Sequence, residues 1–343
     1  MAEQESYALT PEQIEHFLEH GYLHLKNCFS REKAAEWTKD IWTRLGYSPD
    51  DPSTWVRERI NMPWHRGEHV STFAPKAWAA ICQLIGGAER FKDTEVAKWK
   101  DGFIVNLGTP GGESSWIPPK QLDNWHVDGD FFMHFLDSPE QALLVTPLFT
   151  DIKERGGGTM ICTDGIDVIA KHLYEHPEGV TPRMRPRNQT SPGEKVGLEF
   201  YINVVQNCSN FVEVTGEVGD VYLMHPLMLH SASRNALRIP RVITNPPVSI
   251  KEPFNFNRAE GDPYSLVEQK TLRALGRPEG LPGWKIVGER EEVVPERVRV
   301  QQRMKEMELR RLRGEKVDDA AASRSGMGLR NDWDRAEEPS AAA

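Results

Sequence analysis

The chain has 343 residues, of which 38% are hydrophobic and 27% are charged, and its formal net charge at pH 7 is −9. This length can bury a large core, and barrel enzymes often use roughly 200–250 residues for one domain. The negative charge argues against a broad basic surface for nucleic acid or anionic lipid. We therefore expect a soluble globular protein that binds neither of these polyanions.

The cysteines and the N-terminus indicate the compartment. Cys28, Cys82, Cys162 and Cys208 are widely separated and form no CxxC pair, which favours free thiols over a zinc ribbon or a disulfide framework. The opening MAEQESYALTPEQ is acidic and polar, unlike a signal or basic transit peptide. No apolar run approaches the roughly 20 residues of a membrane span. We predict a cytoplasmic protein without a membrane partner.

The N-terminal part reads as helix, strand and helix. Thr10 caps a first amphipathic helix that ends near Gly21, and the alternating YLHLKNCF follows as a short strand. Ser30 caps a second helix that stops at Gly46. Residues 47–75 read as an irregular covering segment, and the next stretch, KAWAAICQLIGGAER, predicts a third helix.

From about residue 93 the chain consists of short β-favouring runs separated by Gly, Pro and Asp. They include FIVNLG, LLVTPLF, GGTMIC, DVYLM, LMLHSAS and RVIT, and one helix-like segment, GIDVIAKHLYEH, interrupts them. Many short strands after helices predict a sandwich or barrel of antiparallel strands with helical support.

We predict four parts in the chain. Residues 1–92 form a helical and strand segment packed on the barrel, residues 93–255 form the β core, and residues 256–317 form a helical extension. Residues 318–343, rich in Ala, Ser, Asp and Arg, are predicted to be a disordered tail. Within the extension, PERVRVQQRMKEMELRRLRGEK mixes both charge signs, which is typical of a solvated or surface-packed helix.

The stretch NWHVDGD, residues 124–130, carries the first candidate metal ligands. In a strand, His126 and Asp128 would point to the same face, an arrangement that can hold a metal. The alternative is a hydrogen-bonded, exposed pair at a strand end. Asp130 would share this face, but it would lie about 13 Å from His126 and is the poorer ligand.

The second candidate stretch is GDVYLMHPLMLHSASRNALRIPRVIT, residues 219–244. His225 abuts a proline break, whereas His230 lies on the later predicted strand, eleven residues before Arg241. We favour His230 as the third ligand. Two His and one carboxylate suit a non-haem Fe(II) oxygenase, and the guanidinium of Arg241 could pair with a carboxylate co-substrate. A surface or strand-pairing role is the alternative for this arginine.

These stretches, with LTPEQIEHFLEHGYLHLKNCFS and LLVTPLFTDIKERGGGTMICTDG, resemble the phytanoyl-CoA dioxygenase family of Fe(II)/2-oxoglutarate-dependent oxygenases over roughly residues 8–250. The resemblance implies a mainly β fold with helical support, built on a double-stranded β-helix (jelly-roll, cupin-like) core. It also implies Fe(II) ligands at His126, Asp128 and His230, with 2-oxoglutarate as co-substrate and O2 as oxidant. Arg241 would bind the distal carboxylate of 2-oxoglutarate.

Three further positions concern the co-substrate. Asn106 and Thr146 lie on predicted strands that face the barrel, and we expect both to contact 2-oxoglutarate. The family often has Ser two residues after the distal His, where this chain has Ala232, and Gly-Ser-His where this chain has CTDG. The finer co-substrate contacts are therefore expected to differ from the family pattern.

The leading interpretation is an oxygenase that oxidises, most often by hydroxylation, a small organic metabolite such as one of secondary metabolism, with release of succinate and CO2. Desaturation, cyclisation and epoxidation stay open, as does homo-oligomerisation. One alternative is a cupin-like metalloenzyme that does not use 2-oxoglutarate. Another is a non-catalytic barrel that acts as a scaffold through its charged C-terminal helix.

Overall fold

The computed structural model describes residues 7–112, 116–191, 196–259, 261–295 and 297–317, so the predicted tail at 318–343 lies outside it. Its helices are α1 (Pro11–His20), α2 (Arg31–Thr38), α3 (Ile41–Leu45), α4 (Val70–Phe73), α5 (Pro75–Ile85), α6 (Gly165–Glu175), α7 (Glu199–Gln206), α8 (Leu266–Ala274) and α9 (Arg297–Leu312). Its strands are β1 (Tyr22–Leu25), β2 (Arg59–Asn61), β3 (Gly67–His69), β4 (Lys98–Lys100), β5 (Ile104–Asn106), β6 (Leu144–Pro147), β7 (Thr159–Cys162), β8 (Phe211–Glu213), β9 (Val221–Met224), β10 (Leu229–Ala232) and β11 (Arg241–Ile243). Helices and short strands therefore alternate along most of the chain.

The strands pair antiparallel in the orders β1-β9-β6, β10-β7-β8, β11-β5-β2 and β3-β4. In the third sheet, Arg241 and Arg59 both lie opposite Asn106, one from each side. A further antiparallel bridge joins His126 to His230. These pairings confirm the prediction of antiparallel β-sheet with helices.

The first predicted helix is confirmed together with both of its ends. The Thr10 side chain accepts from the backbone N–H of Gln13, whose side chain accepts from the backbone N–H of Thr10. Gly21 ends the helix at φ 75°, a left-handed conformation that favours glycine. The sequence signals at helix ends were therefore sufficient to predict α1.

Two N-terminal predictions were wrong in detail. The single helix expected from Ser30 to Gly46 is interrupted between α2 and α3, where Thr38 donates its hydroxyl to the carbonyl of Ala34. Such side-chain bonds compete with continued helix. The segment 47–75, expected to be irregular, contains β2, β3 and α4. Its strands have only three residues each, which is too few for a periodic pattern to emerge.

The apolar core joins the helices to the sheets. The inner face of α5 is buried, and an aromatic group in which Phe73 packs against Phe29, Trp37 and Trp99 lies next to it. Helix α7 was not predicted, because EFYINVVQ is rich in β-branched residues that also suit a strand. None of the described helices has the length and apolar character needed to cross a membrane.

Helix α8 packs against α1, α5 and α6 and covers His225. The imidazole accepts from the backbone N–H of Leu227 at Nδ1, which leaves Nε2–H to donate to the hydroxyl of Thr271 at 2.9 Å. Burial, with a smaller effect of the Lys270 cation, lowers the pKa of His225 to about 3. This histidine is therefore neutral in the folded protein at neutral pH.

This buried histidine predicts a loss of stability in mild acid. Between pH 6.5 and 3, the unfolded chain binds a proton at His225 that the folded protein does not. As the pH is lowered through this range, protonation of His225 in the unfolded chain therefore decreases the free energy of unfolding by about 1.4 kcal/mol per pH unit. The free energy of unfolding is measured with urea at several pH values between 6 and 4. Its dependence on pH should be shallower in His225→Gln than in the unmodified protein, by an amount that corresponds to about one bound proton. Parallel slopes for the two proteins would contradict this account.

Candidate metal centre

The structure brings His126, Asp128 and His230 together as a potential metal site. One ligand atom from each lies within 4.8 Å of the other two. Nε2 of His126 is 3.7 Å and Nε2 of His230 is 3.5 Å from the same oxygen, Oδ1 of Asp128. Two imidazoles and one carboxylate therefore converge on a single point, which is the ligand set that the sequence spacing predicted.

Backbone pairing sets the two histidines side by side. The N–H of each residue donates to the carbonyl of the other at 2.9 Å. Nδ1–H of His126 donates to the carbonyl of Asn124, and Nδ1–H of His230 donates to the carbonyl of Met228. These bonds place the proton on Nδ1, so that Nε2 carries a lone pair and no proton, as in many metal sites where the second ring nitrogen is held by a carbonyl.

The expectation of a strand through residues 124–130 was wrong. His126 forms only an isolated bridge, and Asp128 lies in a bend that continues into Gly129 at φ 119°. The carboxylate reaches the metal position because the chain turns at this glycine, where a Cβ would lie 2.6 Å from the ring of Phe132. Strand alternation was therefore not the reason that His126 and Asp128 face the same point.

The charges of the three residues are strongly coupled. Burial alone would raise the pKa of the Asp128 carboxyl, but the two neighbouring imidazoles hold this pKa well below its usual range. Burial and the neighbouring His230 lower the pKa of His126. Burial opposes protonation of His230 as well, but Asp128 outweighs it and raises the pKa of this imidazole. The site is thus a partly buried carboxylate beside two imidazoles.

Arg241 lies in the same cavity and is only 2% exposed. Its Nε donates to the carbonyl of Gly157 at 2.8 Å and its Nη1 donates to the carbonyl of Ile104 at 3.3 Å. Burial, together with the like charge of Arg59, lowers the pKa of Arg241 to about 9. Among the described residues, no carboxylate is ion-paired with this guanidinium. It is therefore a buried cation, and its hydrogen bonds to the two carbonyls leave further N–H groups that can donate to a ligand.

The RGGG turn makes this arginine position possible. Gly157 has φ 80°, and a Cβ there would lie 2.7 Å from both Nδ2 of Asn106 and Cβ of Asn235. Only glycine fits without displacing those side chains. A close backbone approach at this turn therefore supplies the carbonyl that holds Arg241.

The other two residues expected to contact the co-substrate, Thr146 and Asn106, have different surroundings in the structure. Thr146, on β6, lines the cavity. The Asn106 side chain is buried between backbone groups, where it donates to the carbonyl of Ser233 at 3.1 Å and accepts from the N–H of Gly108 at 3.2 Å. Asn106 thus connects β5 to the turn after β10, and contact with a ligand stays a prediction for both residues.

A cavity of about 480 Å3 opens onto the three ligands. Its wall includes Met62, Val96, Phe131 and Ile243, which give it an apolar side, besides the charged groups described above. Ala232 lines it two residues after His230. A volume of this size suits a small organic molecule.

Helix α9 contributes to the cavity wall, which the sequence reasoning missed. Arg297 and Gln301, one turn apart, both line the cavity. The guanidinium of Arg297 pairs with Asp130 through two bonds of 2.6 and 2.7 Å. Both oxygens of Asp130 are therefore used by Arg297, and this pair links the loop that carries Asp128 to the C-terminal helix.

Two further polar sites, His134 and a group of two cysteines and one aspartate, make hydrogen bonds within the protein. Nε2 of His134 bonds to the carbonyl of Gly129 at 2.7 Å, and burial lowers the pKa of His134 to about 4, as expected for a core histidine. Cys162, Asp164 and Cys208 also lie close together. The Asp164 carboxylate accepts from the Cys162 thiol and from the backbone N–H groups at 209 and 210, so these bonds account for its oxygens.

No family model matches this chain, and no curated protein matches it. Among solved structures, it is similar to the non-haem alpha-ketoglutarate-dependent carbocyclase SnoK from nogalamycin biosynthesis, with 16% identity over 80% of this chain and 95% of that chain and a TM-score of 0.40. It is also similar to HygX from Streptomyces hygroscopicus, solved with nickel and 2-oxoglutarate, at 13% identity over 69% and 85% of the two chains and a TM-score of 0.38. A hypothetical protein from Escherichia coli, JW0805, matches at 14% identity over 73% and 71%, with a TM-score of 0.44. At these TM-scores the likenesses carry no argument about activity.

Proposed function

We propose that this protein is a non-haem Fe(II)/2-oxoglutarate-dependent oxygenase that oxidises a small organic molecule. The observation that carries the proposal is one cavity that contains both a His-Asp-His cluster and a buried arginine that pairs with no carboxylate in the part of the chain that the structure describes. An open site of two histidines and one carboxylate is diagnostic of this class of iron oxygenase. The proposed relationship to the phytanoyl-CoA dioxygenase family and the proposed double-stranded β-helix core belong to the same hypothesis.

The residues present fit the metal. His126 and His230 would bind Fe(II) through Nε2, and Asp128 would bind it through a carboxylate oxygen. Three protein ligands leave positions for further oxygen donors on a six-coordinate ion. When bound, iron and 2-oxoglutarate together supply O2 activation that is coupled to decarboxylation of the co-substrate to succinate and CO2.

The chain's own groups prepare this chemistry. The carbonyls of Asn124 and Met228 keep both imidazoles in the ligating tautomer. Arg241 is held by two backbone carbonyls, so its remaining N–H donors have a fixed direction for the distal carboxylate of 2-oxoglutarate. The apolar wall around Phe131 would exclude water and hold the carbon skeleton of the substrate. Hydroxylation is the simplest outcome for a C–H bond presented there.

The buried guanidinium also separates the proposal from its rivals. A cupin-like metalloenzyme that does not use 2-oxoglutarate would bury Arg241 without a compensating anion, which is unfavourable. A scaffold that acts through α9 gives no reason for a converging metal-ligand set. The dicarboxylate co-substrate accounts for both features in a single cavity.

The proposal predicts a visible metal-to-ligand charge-transfer band when the protein is titrated anaerobically with Fe(II) and 2-oxoglutarate. Arg241→Gln should keep Fe(II) binding but weaken 2-oxoglutarate roughly 10- to 100-fold, because a charge-assisted hydrogen-bond pair contributes about 1.5–3 kcal/mol. The measurement is the dissociation constant for 2-oxoglutarate from the band.

Arg238→Gln is the matched control for this titration. Arg238 lies three residues earlier, stacks its guanidinium on Trp55 and does not line the cavity. Its replacement should leave the affinity for 2-oxoglutarate within about twofold of that of the unmodified protein, as for other substitutions outside a site. Iron binding without a band in the unmodified protein would favour the cupin-like alternative, and no metal binding at all would favour the scaffold.

A further inference from the structure

The chain from β4 to β5 presents a lysine to the end of the cavity away from Arg241. Every second residue from 98 to 104 lines the cavity, and the residues between them are buried. Such alternation is typical of an extended chain, so these side chains share one face. Lys100 belongs to this face. It precedes Asn106, the residue opposite Arg241, by six positions, which span about 20 Å in an extended chain.

Helix α9 brings a second lysine to the same end. Arg297, Gln301 and Lys305 are four residues apart, so they lie along one face of the helix. The first two line the cavity, and Arg297 is bonded to Asp130 near the metal ligands. Lys305 lies about 12 Å further along the helix axis. This face of α9 therefore runs from the loop of the metal cluster to the outer end of the cavity.

The two lysines meet at one indole ring. Trp64 lines the cavity and is 49% exposed, so it lies where the cavity reaches the surface. Nζ of Lys100 is 4.6 Å and Nζ of Lys305 is 4.1 Å from the centre of this ring. A cation over an indole face is attracted by the ring quadrupole. Trp64, Lys100 and Lys305 thus form a cationic group, which we call the mouth of the cavity.

The charges of the mouth are not balanced by the protein around it. The carboxylates that line the cavity lie in the metal cluster or bond to Arg297, to Lys98 or to backbone N–H groups; they are Asp128, Asp130, Glu95 and Asp93. Within the part of the chain that the structure describes, neither Lys100 nor Lys305 forms an ion pair with a carboxylate. Both are partly buried. Two neighbouring cations of this kind favour the binding of an anion between them.

We propose that the mouth binds the carboxylate of an organic acid and that Lys100 and Lys305 select this class of substrate. The inference rests on the function proposed above and names the substrate class for it. Each ammonium group can donate to a carboxylate oxygen. The apolar wall that includes Met62 and Phe131 would hold the carbon skeleton between the mouth and the metal cluster. The oxidised carbon would therefore be remote from the acidic group.

The test compares organic acids with their neutral primary amides in the full-length protein. The pairs are phenylacetate with phenylacetamide, 2-naphthoate with 2-naphthamide, and octanoate with octanamide. Each compound is titrated by calorimetry into anaerobic protein that holds Fe(II) and saturating 2-oxoglutarate, so that the co-substrate position is filled. The unmodified protein should bind at least one acid about 10- to 25-fold more tightly than its amide, since a partly exposed charge pair contributes about three- to fivefold.

Variants of the two lysines locate this preference. Lys100→Gln and Lys305→Gln should each lower the acid preference about three- to fivefold and leave the dissociation constant of 2-oxoglutarate within about twofold. Lys305→Arg retains a cation over Trp64 and should keep the preference. Arg303→Gln is the matched control, because it removes a cation from an exposed position of the same helix that does not line the cavity. It should change no affinity by more than about twofold.

Two results would overturn the inference. One is the absence of an acid preference in every pair, including pairs in which neither member binds, and the other is a preference that both Lys→Gln variants retain. The charge-transfer band with 2-oxoglutarate reports separately on the proposed function. A band without an acid preference would keep the oxygenase and exclude organic acids as the class that the mouth selects. If the unmodified protein gives no band, the oxygenase proposal fails and the substrate assignment fails with it.

Discussion

His230→Ala is expected to lose Fe(II) binding while the protein stays folded. His225→Ala is expected to keep Fe(II) binding and to lose stability. Nε2 of His230 faces the Asp128 carboxylate at 3.5 Å in the cavity. Loss of a ligand from a three-residue site should lower metal affinity by at least about 100-fold, since outer partners alone contribute 10- to 100-fold. His230 is close to the cavity surface, so the fold can accommodate the smaller side chain.

His225 has the complementary environment. It is 0% exposed, and both of its ring nitrogens bond within the protein, to Leu227 and to Thr271. Alanine there would leave a cavity under α8 and an unpaired backbone N–H. We expect the free energy of unfolding to fall by on the order of 2–4 kcal/mol. The metal site is built from other residues, so Fe(II) affinity should change little.

The measurement is a pair of titrations on each variant, one with Fe(II) under anaerobic calorimetry and one with urea. The two histidines are five residues apart in the same stretch, so each variant is the control for the other. The assignment of the third ligand would be wrong if His225→Ala lost iron or if His230→Ala bound it normally.

The parts of the fold that could be predicted from sequence depend on local signals. Thr10 and Gly21 bound α1 because capping and left-handed φ are properties of a few neighbouring residues. The strand Val221–Met224 appears where predicted, since it is a compact apolar run after a turn. His230 could be favoured over His225 because proline interrupts the chain next to the latter.

What could not be predicted depends on contacts between distant segments. Arg59 lies in a three-residue strand whose partner, β5, is more than forty residues away. Arg297 reads as one charge among many on a solvated helix, and only the folded chain brings it to Asp130. A mixed-charge helix has no periodic apolar stripe, so its buried face could not be identified from sequence pattern. Long-range ion pairs define that face instead.

Glu308 is the clearest of these ion pairs. It lies on α9, is 2% exposed, and its Oε2 accepts from Nε of Arg44 at 2.9 Å and bonds to Nε2 of His65 at 2.7 Å. Arg44, on α3, is itself buried and also pairs with Asp101 at 3.1 Å. Burial raises the pKa of Glu308, while Arg44 and His65 act in the opposite direction. The carboxylate thus completes a buried charge cluster that anchors α9.

Glu308→Ala is therefore expected to be strongly destabilising, by about 3–5 kcal/mol, because it leaves buried cationic and imidazole groups without their partner. Glu306→Ala, at an exposed position of the same helix, should change the free energy of unfolding by less than about 0.5 kcal/mol. Urea unfolding followed by circular dichroism measures both effects.

The same variant connects stability to the cavity. The cluster around Glu308 holds the C-terminal part of α9, and the pair between Arg297 and Asp130 holds its first turn, so the helix is anchored at both ends. Loss of the Glu308 anchor should free the many Lys and Arg residues of α9 for trypsin at a protease concentration that leaves Glu306→Ala intact. Gln301 would leave the cavity wall with the helix. Equal cleavage of the two variants would mean that α9 is held mainly by its apolar contacts.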